Sequence, residues 1–179
     1  MEKRTVLFVD DEEAILRAIK RSFADEPYET IFANSGSRAL EMLKQNQVHV
    51  IVTDMNMPEM NGIELLNSVE EKYPQITKMV LTAQTDAHLM LTAINNGQIF
   101  KYIVKPWQYE KELKTYVRQA IEYYDLHSER EMLVSFFEMW IEGLDMESKE
   151  TKFLKGLLAT RKKHLHEWKQ RCNAVPLEA

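Results

Sequence analysis

Five short apolar runs recur through the first 125 residues, at Thr5–Val9, Glu29–Ala33, Val48–Thr53, Lys78–Thr82 and Ile99–Val104. Four of them are nearly continuous, as strands buried on both faces of a parallel sheet should be. Helical periodicity falls between and after them. Ala14, Ile15, Ala18, Ile19 and Phe23 make one stripe, and Ala39, Leu40 and Leu43 a second, opened by the cap-forming Asn34-Ser35-Gly36-Ser37. Ile63, Leu65, Leu66 and Val69 follow the turn Asn61-Gly62. Leu89, Met90, Ala93 and Ile94 follow Thr85-Asp86 and stop at Asn95-Asn96-Gly97, and Leu113, Val117, Ala120, Ile121 and Tyr124 complete the series. Strand and helix alternating at this spacing predict right-handed crossovers and a doubly wound α/β sandwich over residues 1–125.

The pattern changes near residue 125 without a Pro/Gly linker. The fifth helical stretch runs on through Asp125–Ser128, and residues 131–144 then hold nine apolar side chains, from Met132 to Leu144. That stripe is too wide for a surface helix with one wet face. Gly143 and Asp145 suggest a turn, and Leu154, Leu157, Leu158, Leu165, Trp168 and Cys172 suggest a last helix. Residues 126–179 are therefore read as a C-terminal extension built on a helical hairpin over 126–172. Two helices bury too little to stand alone, so the hairpin must pack on the first domain, on a second copy or on a partner.

Charge sharpens the division. Of the 23 Lys+Arg and 28 Asp+Glu, residues 1–125 carry 14 and 19, and residues 126–179 carry 9 and 9. The acidic first part is a poor nonspecific nucleic-acid binder. No run of 18 or more apolar residues exists, so no membrane span is predicted. The opening Met-Glu-Lys-Arg-Thr leads straight into a strand, leaving no room for a signal peptide. A single cysteine, Cys172, fits a reducing cytoplasm.

Four strands end in reactive side chains: Asp10-Asp11, Asp54, Thr82 and Lys105-Pro106. In a parallel sheet these ends share one rim. Three carboxylates gathered there repel one another, and a hard cation with open water positions, Mg²⁺, relieves the repulsion. Asp54 beside it can attack phosphorus as a carboxylate nucleophile. Lys105 can neutralise the incoming oxygens, and Thr82 can offer them a hydroxyl, with a backbone N–H near Ala83. Each piece alone has an ordinary structural reading, as a helix N-terminus, a turn or a cap. Their joint occurrence in this order favours chemistry.

Phe8-Val9-Asp10-Asp11-Glu12, Asp54-Met55-Asn56-Met57-Pro58-Glu59-Met60-Asn61-Gly62, Leu81-Thr82-Ala83 and Lys105-Pro106 together resemble the receiver domain of two-component response regulators. The resemblance covers about residues 4–125. It implies a flavodoxin-like, five-stranded parallel sheet of order 2-1-3-4-5. It implies that Asp54 is the phosphoacceptor, taking a phosphoryl group from a sensor histidine kinase. It also implies that Asp10, Asp11, Asp54 and the backbone carbonyl of Asn56 surround Mg²⁺, that Thr82 and Lys105 hold the phosphoryl group, and that Lys105-Pro106 is cis. Asn56 and Gln84 occupy the positions that tune phosphate lifetime. Thr82 and Tyr102 are the switch pair, changing the face made by the fourth helix, fifth strand and fifth helix. Such a protein is a cytoplasmic switch whose only chemistry is its own phosphotransfer and autodephosphorylation.

The extension is open to three readings: a homodimerisation element, a docking element for a separate effector or kinase, or an unusual DNA-binding output. The basic run Arg161-Lys162-Lys163 reads first as a solvated helix face, and nucleic acid as a partner is not expected.

Overall fold

The computed structural model describes residues 3–82, 99–105 and 110–142, and six helical positions between 153 and 160. Its elements run β1 (Thr5–Val9), α1 (Glu13–Ser22), β2 (Glu29–Ala33), α2 (Gly36–Gln45), β3 (Val50–Asp54), α3 (Gly62–Lys72), β4 (Thr77–Thr82), β5 (Lys101–Val104) and α4 (Glu110–Glu142). All pairings are parallel, in the order β2-β1-β3-β4-β5, the flavodoxin-like arrangement expected. The helical pattern at 89–94 lies outside the described residues, so α4 corresponds to the fifth pattern.

Alternation along the strands divides the core into two layers. Leu7, Val9, Ile51 and Val80 point to one face and pack with Ala39 and Leu43 of α2 and Leu65, Leu66 and Val69 of α3. Val6, Phe8, Val52, Met79 and Ile103 point to the other and pack with α1 and with Leu113, Val117 and Ala120 of α4. In α1 the buried side chains are Leu16 and Ile19, with Phe23 just beyond, whereas Ala14 and Ala18 are exposed. The expected stripe was rotated, because burying a leucine gains more than burying an alanine.

The helix starts follow the sequence. The Ser35 hydroxyl accepts from Arg38 N–H at 3.2 Å. Asn61 and Glu64 exchange side-chain bonds, both 3.0 Å, to complete a capping box on α3.

Helix α4 has 33 residues, about 50 Å at 1.5 Å per residue. Its first half is fastened to the sandwich. Arg118 makes a two-pronged pair with buried Glu26 at 3.0 and 2.9 Å. The Tyr124 ring meets His49 edge-on at 4.9 Å, and Asp125 pairs with Arg4 at 2.7 Å. Beyond residue 125 the same helix continues, so the first arm expected for a hairpin is a prolongation of the fifth helix. Residues 153–154, 156–157 and 159–160 are helical. The expected turn at 143–145 lies outside the described residues.

Candidate functional site at the strand ends

Register brings the four strand ends to one level. Val9 lies opposite Thr53, Asp54 opposite Leu81, and Thr82 opposite Val104. The ladder continues one step past the strands. Asp10 N–H donates to the Ala33 carbonyl at 3.2 Å, Met55 N–H to Leu81 at 3.0 Å, and Lys105 N–H to Thr82 at 2.6 Å. The backbone thus holds Asp10, Asp54 and Lys105 side by side.

The carboxylates are aimed by their own neighbours. Asp10 Oδ1 accepts from Glu12 N–H at 2.9 Å, which turns Oδ2 toward Lys105. Asp54 Oδ2 accepts from Asn56 N–H at 2.6 Å, leaving Oδ1 for the same lysine. The Lys105 ammonium lies between them, 2.7 Å from Asp10 Oδ2 and 2.5 Å from Asp54 Oδ1. Asp10 and Asp54 are buried. Two carboxylates against one ammonium leave the pocket one negative charge in excess.

Burial pushes the Asp10 carboxyl above its ordinary range, and the nearby Asp54 charge adds to this, although the bonds from Lys105 and Glu12 act against it. For Lys105 burial opposes the charge, yet the hydrogen bonds to Asp10 and Asp54 outweigh it and hold the ammonium above the usual lysine range. The lysine is therefore charged, and part of the Asp10 desolvation cost stays uncompensated.

Two features of the β3–α3 loop were not anticipated. Glu59 has φ 62°, and Met60 N–H bonds back to the Pro58 carbonyl at 2.6 Å. This three-residue turn is strained for a residue with a Cβ. Gly62 begins α3 against the strand end, where an added Cβ would stand 2.2 Å from the Asp54 carbonyl oxygen. The dipeptide Asn61-Gly62 signalled a turn, but not that the helix start touches the backbone of Asp54.

The other expected site residues divide as follows. Thr82 is buried at the end of β4. Tyr102 is half-buried, and its hydroxyl reaches Met55 Sδ at 3.8 Å, next to Asp54. Asn56 is exposed, with its N–H on Asp54. Asp11 is exposed, and among the described residues no group of three His, Cys, Asp or Glu side chains converges on one point. Gln84, Ala83 and Pro106, with its expected cis bond, lie outside the described residues. Among the described residues no helix is long and apolar enough to cross a membrane.

A doubly wound sheet of order 2-1-3-4-5 carrying an acid–lysine–acid group at its carboxyl rim has the fold and the site position of a signalling receiver. A model of the response regulator receiver domain matches residues 6–118, and the chain belongs to that family. It is 36% identical over 121 residues to the hydrogenase transcriptional regulatory protein HoxA of Cupriavidus necator, covering 68% of this chain and 25% of HoxA. It is 36% identical over 106 residues to a chemotaxis protein CheY homologue of Campylobacter jejuni, covering 57% of this chain and 81% of that protein. The crystal structure of the response regulator TrrA of Thermotoga maritima, in complex with Mg²⁺ and BeF, superposes with a TM-score of 0.58 at 26% identity, covering 65% of this chain and 98% of that one. The chain spans about a quarter of the length of the HoxA-type regulators it matches.

Receiver domains are generally signalling switches that bind Mg²⁺ at the phosphorylation site, and a receiver implies a sensor kinase as partner.

Proposed function

We propose that this chain is a two-component switch in which Asp54 accepts a phosphoryl group from a phosphohistidine of a sensor kinase. The observation that carries the reading is the seating of Lys105 between Asp10 and Asp54, with the Asp54 carboxylate fixed at its other oxygen by Asn56 N–H. In the transfer, an Asp54 carboxylate oxygen forms a bond to phosphorus as the phosphorus–nitrogen bond to the imidazole breaks. The imidazole leaves with the bonding electron pair. Lys105, already charged, swings only its terminal amine to pair with the new phosphoryl oxygens. Thr82, one strand over, supplies a hydroxyl.

The donor set fits a magnesium ion: two buried carboxylates share one ammonium and keep an excess negative charge. Asp10 and Asp54 would hold it, with exposed Asp11 and the Asn56 carbonyl as the remaining oxygen donors. When bound it would neutralise and orient the phosphoryl oxygens. Asn56 and Gln84 are assigned to phosphate lifetime.

The added charge of about −1.5 to −2 on Asp54 then changes the surface around Tyr102 and the first half of α4. The C-terminal extension, residues 126–179, reads that change by self-association or effector binding. The HoxA-type relatives are transcriptional regulators, but the acidic balance of residues 1–125 supports a protein partner over nucleic acid. The cytoplasm is the compartment in which a kinase would meet this rim.

The test is labelling by a small phosphodonor in Mg²⁺. Wild type should incorporate one acid-stable, base-labile phosphoryl group, and Asp54→Asn none. Full labelling of Asp54→Asn would overturn the assignment.

A further inference from the structure

Past residue 125, α4 presents two different surfaces. Val134, Glu138 and Ile141 share one face and are buried or half-buried. Leu126, Leu133, Phe137 and Trp140 form a second stripe at steps of seven, four and three, and Met132, Phe136 and Met139 form a third beside it. All seven residues of those two stripes are exposed, Phe136 at 57%, Phe137 at 50% and Trp140 at 53%. At 100° per residue the two stripes together sweep roughly half of the helix circumference. Ser135 and Glu131 occupy the polar arc between the third stripe and the covered face.

We infer that this bare half of α4 is the interface with a second copy of the same chain, in a helical bundle. Three observations select that occupant. The first is area. Aromatics bring about 150–250 Å² each, so three of them half-exposed leave roughly 300 Å². The four leucines and methionines raise the patch to roughly 600 Å², the top of the range a soluble monomer ordinarily shows in one place. A stable interface buries ~800 Å² per partner, and Phe153, Leu154 and Leu157 are exposed as well. The second is shape. The seven-residue recurrence of Leu126, Leu133 and Trp140 is the knobs-into-holes period of a helix meeting a like helix, and the adjacent stripe provides contact to a second helix of the partner copy. The third is charge. Residues 126–179 hold 9 Lys+Arg and 9 Asp+Glu, so two copies meet there without like-charge repulsion, whereas the domain over 1–125, five charges negative, does not favour self-contact.

The inference concerns the unmodified chain and stands apart from the Asp54 chemistry. Its test is solution mass by light scattering and sedimentation on the full chain, without phosphodonor, at micromolar concentration. Wild type should be a dimer. Phe137→Glu and Trp140→Glu should each raise the dimer dissociation constant at least a hundredfold and give monomers at the same concentration. Ser135→Glu, the same added charge on the polar arc, should stay dimeric. Circular dichroism checks that the helices persist. If either Glu variant loses helix, Phe137→Ser with Trp140→Ser decides by the same mass reading. A monomeric wild type, an assembly larger than a dimer, or a dimer untouched by these substitutions would overturn the inference.

Discussion

Replacing Lys105 with methionine measures how much of the receiver's stability is held at its own active rim. Methionine keeps most of the stem's volume and deletes the charge. The ammonium lies 2.7 Å from Asp10 Oδ2 and 2.5 Å from Asp54 Oδ1, so those oxygens are at most about 5 Å apart, and at an effective dielectric of about 20 their repulsion is about 3 kcal/mol. Water entry and proton uptake relieve part of it, which leaves an expected loss of about 2–3 kcal/mol in metal-free buffer, at or just below the lower end of the usual cost of stripping one partner from a buried pair, about 3–5 kcal/mol. For a domain of this size the melting temperature should fall by about 6–12 °C. On the proposed reading, magnesium would supply the missing positive charge and bind the native state alone. It should therefore stabilise the variant more than the wild type and narrow the gap. The assay is urea unfolding of both proteins in EDTA and in excess MgCl2. A loss below about 0.5 kcal/mol in EDTA, or a gap that magnesium leaves unchanged, would refute the electrostatic account of this rim.

Two further perturbations address the site's frame and its titration. Gly62→Ala places a Cβ 2.2 Å from the Asp54 carbonyl oxygen, so α3 must shift. A loss of roughly 2–4 kcal/mol in urea unfolding and slower phosphodonor labelling are expected, and a change within 0.5 kcal/mol would show that the contact yields freely. Asp10 titrates above its ordinary 3.8 in the folded state because of burial. The folded state therefore holds its proton more tightly than the unfolded one, and stability from this group falls as pH rises from about 4 through the folded value. In EDTA, Asp10→Asn should gain on the wild type between pH 4 and pH 7, and the opposite slope in paired urea titrations would contradict it.

The parts legible in the sequence were those governed by local rules. Continuous apolar runs located five strands, and the bounds Thr5–Val9 and Glu29–Ala33 match the observed ones. Elsewhere the ends moved by a residue or two. Val48 and His49 lie before β3 although buried, because burial and ladder pairing are separate conditions. The site residues were named from motifs at strand ends, and the sheet gathers Asp10, Asp54 and Lys105 as expected. What the sequence hid were contacts between distant segments. Glu26 and Arg118 are 92 positions apart, and no local pattern pairs them. The closeness of Gly62 to Asp54 and the buried seat of Lys78, 2.6 Å from Glu70 of α3, belong to the same class. The rotated stripe of α1 has a different cause: alanine is indifferent enough to stand on either face, so periodicity alone did not phase the helix.

The distance between the rim and the bare stripe limits how one can govern the other. Helix α4 starts five residues after Lys105, and its Tyr124 and Asp125 are fastened at the far end of the sheet, on His49 and Arg4. Some fifteen residues, about 22 Å of helix, separate the two. No side chain of the rim touches the stripe at that range, so if Asp54 is the phosphoacceptor and the stripe the dimer seam, a phosphoryl group would influence dimerisation only by moving α4 as a body. Such couplings run to about 1–3 kcal/mol, a factor of about 5 to 150 in affinity. Inserting Gly-Gly between Asp125 and Leu126 interrupts the helix after its last anchors and leaves Leu126, Leu133, Phe137 and Trp140 in register with one another. In the wild type, beryllofluoride with Mg²⁺ should change the dimer dissociation constant at least about fivefold. With the insertion, the dimer and the labelling of Asp54 should both persist while that change disappears. A beryllofluoride response of undiminished size in the inserted chain would mean that the helix is not the route, and that the receivers of two copies answer to each other directly.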